Sequence, residues 1–189
     1  VYILSKETRK HATVALSGDG ADELLAGYNK HEAFYRVLNG GWKEKAVGSL
    51  LPLWKLLPKS RSNPLANKAR QLQRFGEGMK LSSKDRYWSW AGYAREEQAL
   101  GLFSETSKQQ FAEAEYNGYK SDLLRSIPEK ESINDILLTD MELVLANDML
   151  TKVDLMSMAN GLEVRVPFLD YEVVNFLFSL PSDFKINSS

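Results

Sequence analysis

The segment ATVALSGDGADELLAGY, residues 12–28, passes from an apolar run through a glycine turn into a cluster of acids. ATVAL is short, apolar and bounded by a turn signal, which predicts a buried strand over residues 12–16. SGDG is the turn, and ADELLAGY opens a helix expected to run towards Leu38 and to end at Asn39-Gly40-Gly41. A strand, a glycine turn and a helix in that order present backbone N–H groups to an anion, and Gly18 and Gly20 let a ligand approach closely. The turn is not a Walker A loop, since it lacks the lysine, nor a dinucleotide-binding GxGxxG, since Ala21-Asp22-Glu23 follow Gly20.

Asp19, Asp22 and Glu23 have two readings. In one, Ser17 or Asp19 caps the helix, and Asp22 and Glu23 sit on the positive end of its dipole. In the other, carboxylates beside a phosphate site hold Mg²⁺, because an unscreened carboxylate would repel the phosphate.

Elsewhere the patterning is helical. Residues 1–10 suit the end of a helix, Gly and Pro between Gly41 and Pro64 mark two short helices, and residues 65–78 form an amphipathic helix. Residues 83–93 begin with a capping serine or aspartate pattern, and residues 104–126 read as further helix with Ser104 or Thr106 as cap and Pro128 as stop. The longest pattern runs from Ile133 to Ala159, where Asn147, Thr151 and Asp154 form a polar stripe and Asp148 pairs with Lys152. Met149, Met156 and Met158 are expected in the core. GLEVRVPFLD breaks that helix; Leu162, Val164 and Val166 alternate with Glu163 and Arg165 as in an extended segment, and Asp170 caps a last helix.

No apolar run approaches the roughly 18 residues needed to span a bilayer, and the N-terminus lacks signal-peptide features. Cysteine is absent, which excludes disulfides, thiolate metal sites and a cysteine nucleophile from these residues. His11 and His31 are too few for a histidine metal site and are expected at the surface or at helix ends. A net charge of −1 points to no particular partner, yet Lys45, Lys55, Lys59, Arg61, Lys68, Arg70 and Arg74 form a basic run without an acid. With Tyr87, Trp88, Trp90 and Tyr93, that run would suit RNA; the alternative is a solvated or subunit-facing surface with the aromatics packed between helices. The chain opens at Val1 without Met and stops at FKINSS, so both ends are expected to be cuts through a larger protein.

SGDGADELLAGY, LTKVDLMSMANGLEVRVPFLD and the opening YILSKETRKHATVAL closely resemble the C-terminal synthetase domain of glutamine-dependent asparagine synthetases, specifically in these segments and loosely between about residues 40 and 130. β-Lactam synthetases and other amidotransferases share that domain. The resemblance implies a mainly α fragment of an α/β fold: one late parallel strand plus the helical subdomain of an ATP-pyrophosphatase (adenine nucleotide hydrolase-like) domain. Residues 1–40 would form the strand–turn–helix element of the nucleotide site, and residues 41–189 the helical subdomain.

It further implies a cytoplasmic ligase that activates aspartate with ATP and Mg²⁺ as β-aspartyl-AMP and then admits ammonia, with a glutaminase domain of the parent chain and a homodimer as partners. By position, Ser17 and Gly18 would line the adenylate and substrate pocket, and Asp22 would help bind Mg²⁺ and pyrophosphate or orient the substrate, with Asp19 and Glu23 beside it. Family members carry basic residues at the positions of Lys152 and often Leu155; with leucine at the latter, Lys152 is the candidate catalytic cation and Asp19 the candidate catalytic carboxylate. If Lys152 only pairs with Asp148 or Asp154, the cation comes from elsewhere. Glu163 and Arg165 match the LExRxPFLD signature and are expected to order the wall of the site. The family's SGGxDS pyrophosphate loop is not among these residues, so the fragment alone is expected to be inactive.

Overall fold

A computed structural model of the chain describes residues 1–57, 63–94 and 96–187. The chain is mostly helical, with a small parallel sheet. It begins with α1 (Tyr2–Arg9), β1 (Val14–Leu16), α2 (Ala21–Leu25) and α3 (Asn29–Asn39). Helices α4 (Trp42–Ser49), α5 (Leu51–Leu56), α6 (Pro64–Gly78), α7 (Ser83–Ala91), α8 (Glu96–Leu100), α9 (Glu105–Gln110) and α10 (Glu113–Leu123) follow. The last part holds α11 (Ile133–Asp140), a π-helix (Met141–Leu150), α12 (Thr151–Met158), β2 (Glu163–Arg165) and α13 (Tyr171–Ser179). Two compact units result, one of residues 1–32 and 132–189, the other of residues 33–131.

In the first unit β1 finds its partner in the LEVRV segment, pairing in parallel with Val14 opposite Glu163, Ala15 opposite Val164 and Leu16 opposite Arg165. The strand expected to be buried is not: Val14 is 39% and Leu16 73% exposed. Side chains alternate along a strand, so Val14 and Leu16 share one face, and among the described residues that face is open. The core lies instead on the helical side, where Leu24, Ile133, Ile136, Leu137, Leu145 and Leu162 are buried.

The helix expected from Ala21 towards Leu38 breaks after Leu25. Ala26 adopts a left-handed φ of 60°, and the Gly27 N–H closes onto the Asp22 carbonyl at 3.0 Å, so the chain restarts as α3. The long helix after Ile133 is interrupted as well, by ten residues of π-helix. Asn147 Nδ2 donates to the Glu142 and Leu143 carbonyls at 3.1 and 3.0 Å, and Thr151 Oγ1 to that of Ala146 at 3.1 Å, so two members of the polar stripe bond their own widened helix. The methionines are not core: Met158 is 61% exposed, and Met149 and Met156 are half-buried. Their helix lies near the surface, where an unbranched side chain is tolerated.

The second unit is built around aromatics. Phe34 meets Trp90 edge-on with centroids 4.9 Å apart, Phe75 stacks on Trp90 at 6.0 Å, and Tyr87 is buried. Arg86 is buried too, held by the Gly78 and Leu81 carbonyls and by Glu131, each at 3.0 Å. The expected single helix over 104–126 is two, because Phe111 and Ala112 leave helical geometry between α9 and α10. Ser104 caps α9, as Asp170 caps α13.

Part of the basic run and of its aromatics is engaged inside the fold. Arg74 spends its guanidinium on the Ser89 and Trp90 carbonyls at 2.9 and 3.1 Å, Arg70 bonds Asn67, and Tyr87 and Trp90 are buried. Lys59, Arg61 and the side chain of Lys55 lie outside the described residues. Among the described residues no helix is long and apolar enough to cross a membrane.

Candidate functional site

The site grows out of the carboxyl end of β1. Past Leu16 the ladder continues by one bond, from the Ser17 N–H to the Arg165 carbonyl at 2.9 Å, and the backbone then turns through Gly18, Asp19 and Gly20. Ser17 Oγ donates to the Asp19 carboxylate in a short hydrogen bond. Gly20 takes φ 92°, and a Cβ there would collide with Leu169, so this position admits only glycine. Gly20 also stands at the N-cap of α2 and offers no side chain, which corrects the capping expectation: neither Ser17 nor Asp19 caps this helix. Asp19 is thereby left half-buried with Ser17, without the role that would have explained it locally.

Asp22 and Glu23 begin in the same turn and part ways. Asp22 is exposed, and its carboxylate fills the space that a Cβ on Gly27 would need. Glu23 is 1% exposed and accepts from Tyr28 Oη at 2.6 Å. Burial first, then that hydrogen bond and the charges of Glu23, Asp22 and Asp140, push the Tyr28 hydroxyl far above its ordinary value of 10.0. Tyr28 therefore stays a donor across the physiological range.

The second segment arrives through β2. Glu163 and Arg165 lie on one exposed face and pair at 2.7 Å, and the Pro167–Leu169 turn brings Leu169 against Gly20. SGDG and VPFLD therefore lie side by side at the carboxyl ends of two parallel strands, the end at which open α/β sheets bind ligands. A hollow lined by residues 9–14 opens at the amino end of β1 instead, away from Ser17.

Lys152 is not joined to the acids of the turn. It contacts Met149 Sδ at 3.2 Å and Asp148 at 4.0 Å, both on its own helical segment, and no ion pair to Asp19, Asp22, Glu23 or Asp154 forms. Leu155, beside it, is 58% exposed.

The structure adds a group that motif reading passes over. His31, expected at the surface or at a helix end, lies in the first turn of α3 and is fully buried there, with Nε2 2.6 Å from Asp140 Oδ2. The Tyr28 N–H donates to His31 Nδ1 at 3.3 Å, so Nε2 carries the hydrogen and points it at Asp140. Lys30 meets the other Asp140 oxygen at 2.6 Å. The signal available in the sequence is faint: a histidine three residues after Tyr28, where an N3 side chain can reach back to the first N–H of a helix.

Among the described residues no three His, Asp or Glu side chains converge as a metal cage. Mg²⁺ does not need one, since it commonly takes one or two carboxylates together with phosphate oxygens and water. Exposed Asp22 and half-buried Asp19, in the same glycine turn, are carboxylates of the kind such a site would use.

The asparagine synthase family model matches residues 1–189. The chain belongs to the asparagine synthase family. Among its curated relatives in that family, "Asparagine synthetase [glutamine-hydrolyzing] 1" of Bacillus subtilis (strain 168) is 33% identical over 98% of this chain. "Putative asparagine synthetase [glutamine-hydrolyzing]" proteins of Mycobacterium bovis and Mycobacterium tuberculosis are 30% identical over the same share. The chain spans 27% of the length of each of these relatives. No solved structure matches it.

Proposed function

We propose that this chain is the part of an ATP-dependent, glutamine-using asparagine synthetase that adenylates the side-chain carboxylate of aspartate. A carboxylate oxygen attacks the α-phosphorus of ATP, the bond to pyrophosphate breaks, and β-aspartyl-AMP forms. Ammonia released by a glutaminase domain then adds to the acyl carbon, AMP leaves, and the proton lost from nitrogen completes asparagine. Bound Mg²⁺ would neutralise the polyphosphate and the charge growing on the departing pyrophosphate.

The residues of this chain have distinct parts in that scheme. Ser17 and Gly18 line the adenylate, with backbone close enough for contact because Gly18 carries no side chain. Asp22, steadied against Gly27, holds the metal, and Asp19, bonded by Ser17, faces the substrate beside it. Lys152 supplies the cation. Its surface pair with Asp148 is worth no more than about 1 kcal/mol, so little opposes a swing towards phosphate. The Glu163–Arg165 pair stiffens the wall. Aspartate and ATP are the small-molecule partners, the glutaminase domain belongs to the same parent chain, and the protein is a cytoplasmic homodimer.

The observation that carries this reading is the parallel pairing of β1 with β2, which sets SGDG against VPFLD at one sheet end. The test is exchange of radiolabelled pyrophosphate into ATP by the full-length protein. Exchange that requires both aspartate and Mg²⁺ is expected; exchange driven equally by another carboxylate, or none at all, overturns the substrate or the reaction. The 189 residues alone are expected to give no exchange, because the SGGxDS loop is not among them.

A further inference from the structure

The geometry points to His31 and Asp140 as positioning residues that lock the acidic turn through Tyr28, an inference that rests on reading that turn as the Mg-ATP site. Helix α2 has only five residues, too few to persist on its own, and left-handed residues bound it at Gly20 and Ala26. Something outside the helix must therefore fix Asp22. The bonds run without a gap: Glu23 accepts from Tyr28 Oη at 2.6 Å, the Tyr28 N–H donates to His31 Nδ1 at 3.3 Å, and His31 Nε2 donates to Asp140 at 2.6 Å. Lys30 balances the Asp140 charge at 2.6 Å.

Glu23, His31 and Asp140 are each at most 1% exposed, so water offers no substitute partner, and every member depends on the next. Asp140 is the last residue of α11, and the π-helix that leads to Lys152 starts directly after it. One buried network thus ties the turn bearing Asp22 to the root of the segment bearing Lys152, across 109 positions of sequence between His31 and Asp140. Neither His31 nor Asp140 reaches the reacting atoms; both act by holding the loop.

The test uses the full-length protein with His31→Phe, His31→Gln and Tyr28→Phe. His31→Phe and Tyr28→Phe are expected to speed amide hydrogen exchange over residues 20–28 while residues 64–91 keep wild-type protection. They are also expected to weaken Mg-ATP binding by about tenfold in calorimetry, since a loop misplaced by an ångström loses much of its contact geometry. His31→Gln keeps an N–H for Asp140 and should recover binding to within about threefold of wild type. Unchanged exchange over 20–28 in Tyr28→Phe, or protection lost evenly along the chain, overturns the clamp. If His31→Phe does not fold, Asp140→Asn, which keeps the shape but weakens the bond from His31 Nε2, carries the test of that pair with the same expected and overturning outcomes, and Tyr28→Phe carries that of the tie to Glu23. Failure of the wild-type protein to bind Mg-ATP would instead overturn the nucleotide reading, and the hydrogen-exchange comparison would still decide the clamp.

Discussion

Leu16 and Arg165 stand opposite one another in the parallel pair, and the Arg165 carbonyl takes the N–H of Ser17, the next residue along, at 2.9 Å. This relationship converts two sequence motifs about 150 residues apart into one site. From it follow the closeness of Gly20 to Leu169 and the common direction in which SGDG and VPFLD leave the sheet. Neither motif is compelling alone. Their juxtaposition at the carboxyl ends of parallel strands gives the glycine turn a second wall.

Gly20→Ala should disable the turn. The residue sits at φ 92° and an added Cβ would strike Leu169, so both backbone strain and a collision with packed side-chain carbons oppose it. A loss of about 1–3 kcal/mol in urea denaturation is expected, together with loss of pyrophosphate exchange. Gly18→Ala is the control for stability, since a Cβ at Gly18 meets nothing within 4 Å.

Asp22→Asn should separate metal binding from folding. Asp22 is exposed, so stability should stay within about 0.5 kcal/mol of wild type. Exchange activity should fall by about a hundredfold or more, and the Mg²⁺ concentration for half-maximal rate should rise. An unchanged Mg²⁺ requirement would move the metal to another residue.

Lys152→Met should leave stability nearly untouched, because the contact to Asp148 is 4.0 Å long and both side chains are exposed. The exchange rate is expected to drop by about a hundredfold or more if Lys152 meets the leaving pyrophosphate. A rate within about twofold of wild type would show that the cation comes from another part of the protein.

The second unit should be sensitive to acid. Asp85 is held below its ordinary 3.8 by the Ser82 hydroxyl, then, against burial, by Lys120. Burial raises Glu96, but hydrogen bonds from Lys120 and Tyr116 outweigh it and keep Glu96 below its ordinary 4.5. Folded carboxylates of this kind bind fewer protons than unfolded ones, so their stabilisation is full above the ordinary values and fades as pH falls through the folded ones. Urea denaturation at pH 7 and at about pH 3 should show this loss, and Lys120→Met should flatten it by removing the shared partner. The effect should stay below about 1 kcal/mol, because Asp85 and Glu96 are 52% and 41% exposed.

The elements legible in the sequence are those decided within one turn of chain. Ser104 and Asp170 cap because a short polar side chain reaches an N–H two or three residues on. The strand–turn–helix at residues 12–25 was legible for the same reason, since glycine, acid and apolar run follow in order. The family, too, could be recognised in three short motifs.

Other features depended on residues far away in the chain. The capping role of Asp19 fails because Gly20, at φ 92° and close against Leu169, takes the N-cap position one residue later. His31 reads as a surface or helix-end residue, and its place at the start of α3 agrees, but its burial and its bond to Asp140, 109 positions on, are not legible locally. Composition and spacing thus determined the local conformations and the chemistry of the motifs, because hydrogen bonds between near neighbours need only the right residue at the right offset. Which strand pairs with β1, which carboxylate stays exposed and which is sealed against Tyr28 were decided only by the tertiary structure, because burial and long-range pairing depend on what the rest of the chain brings into contact.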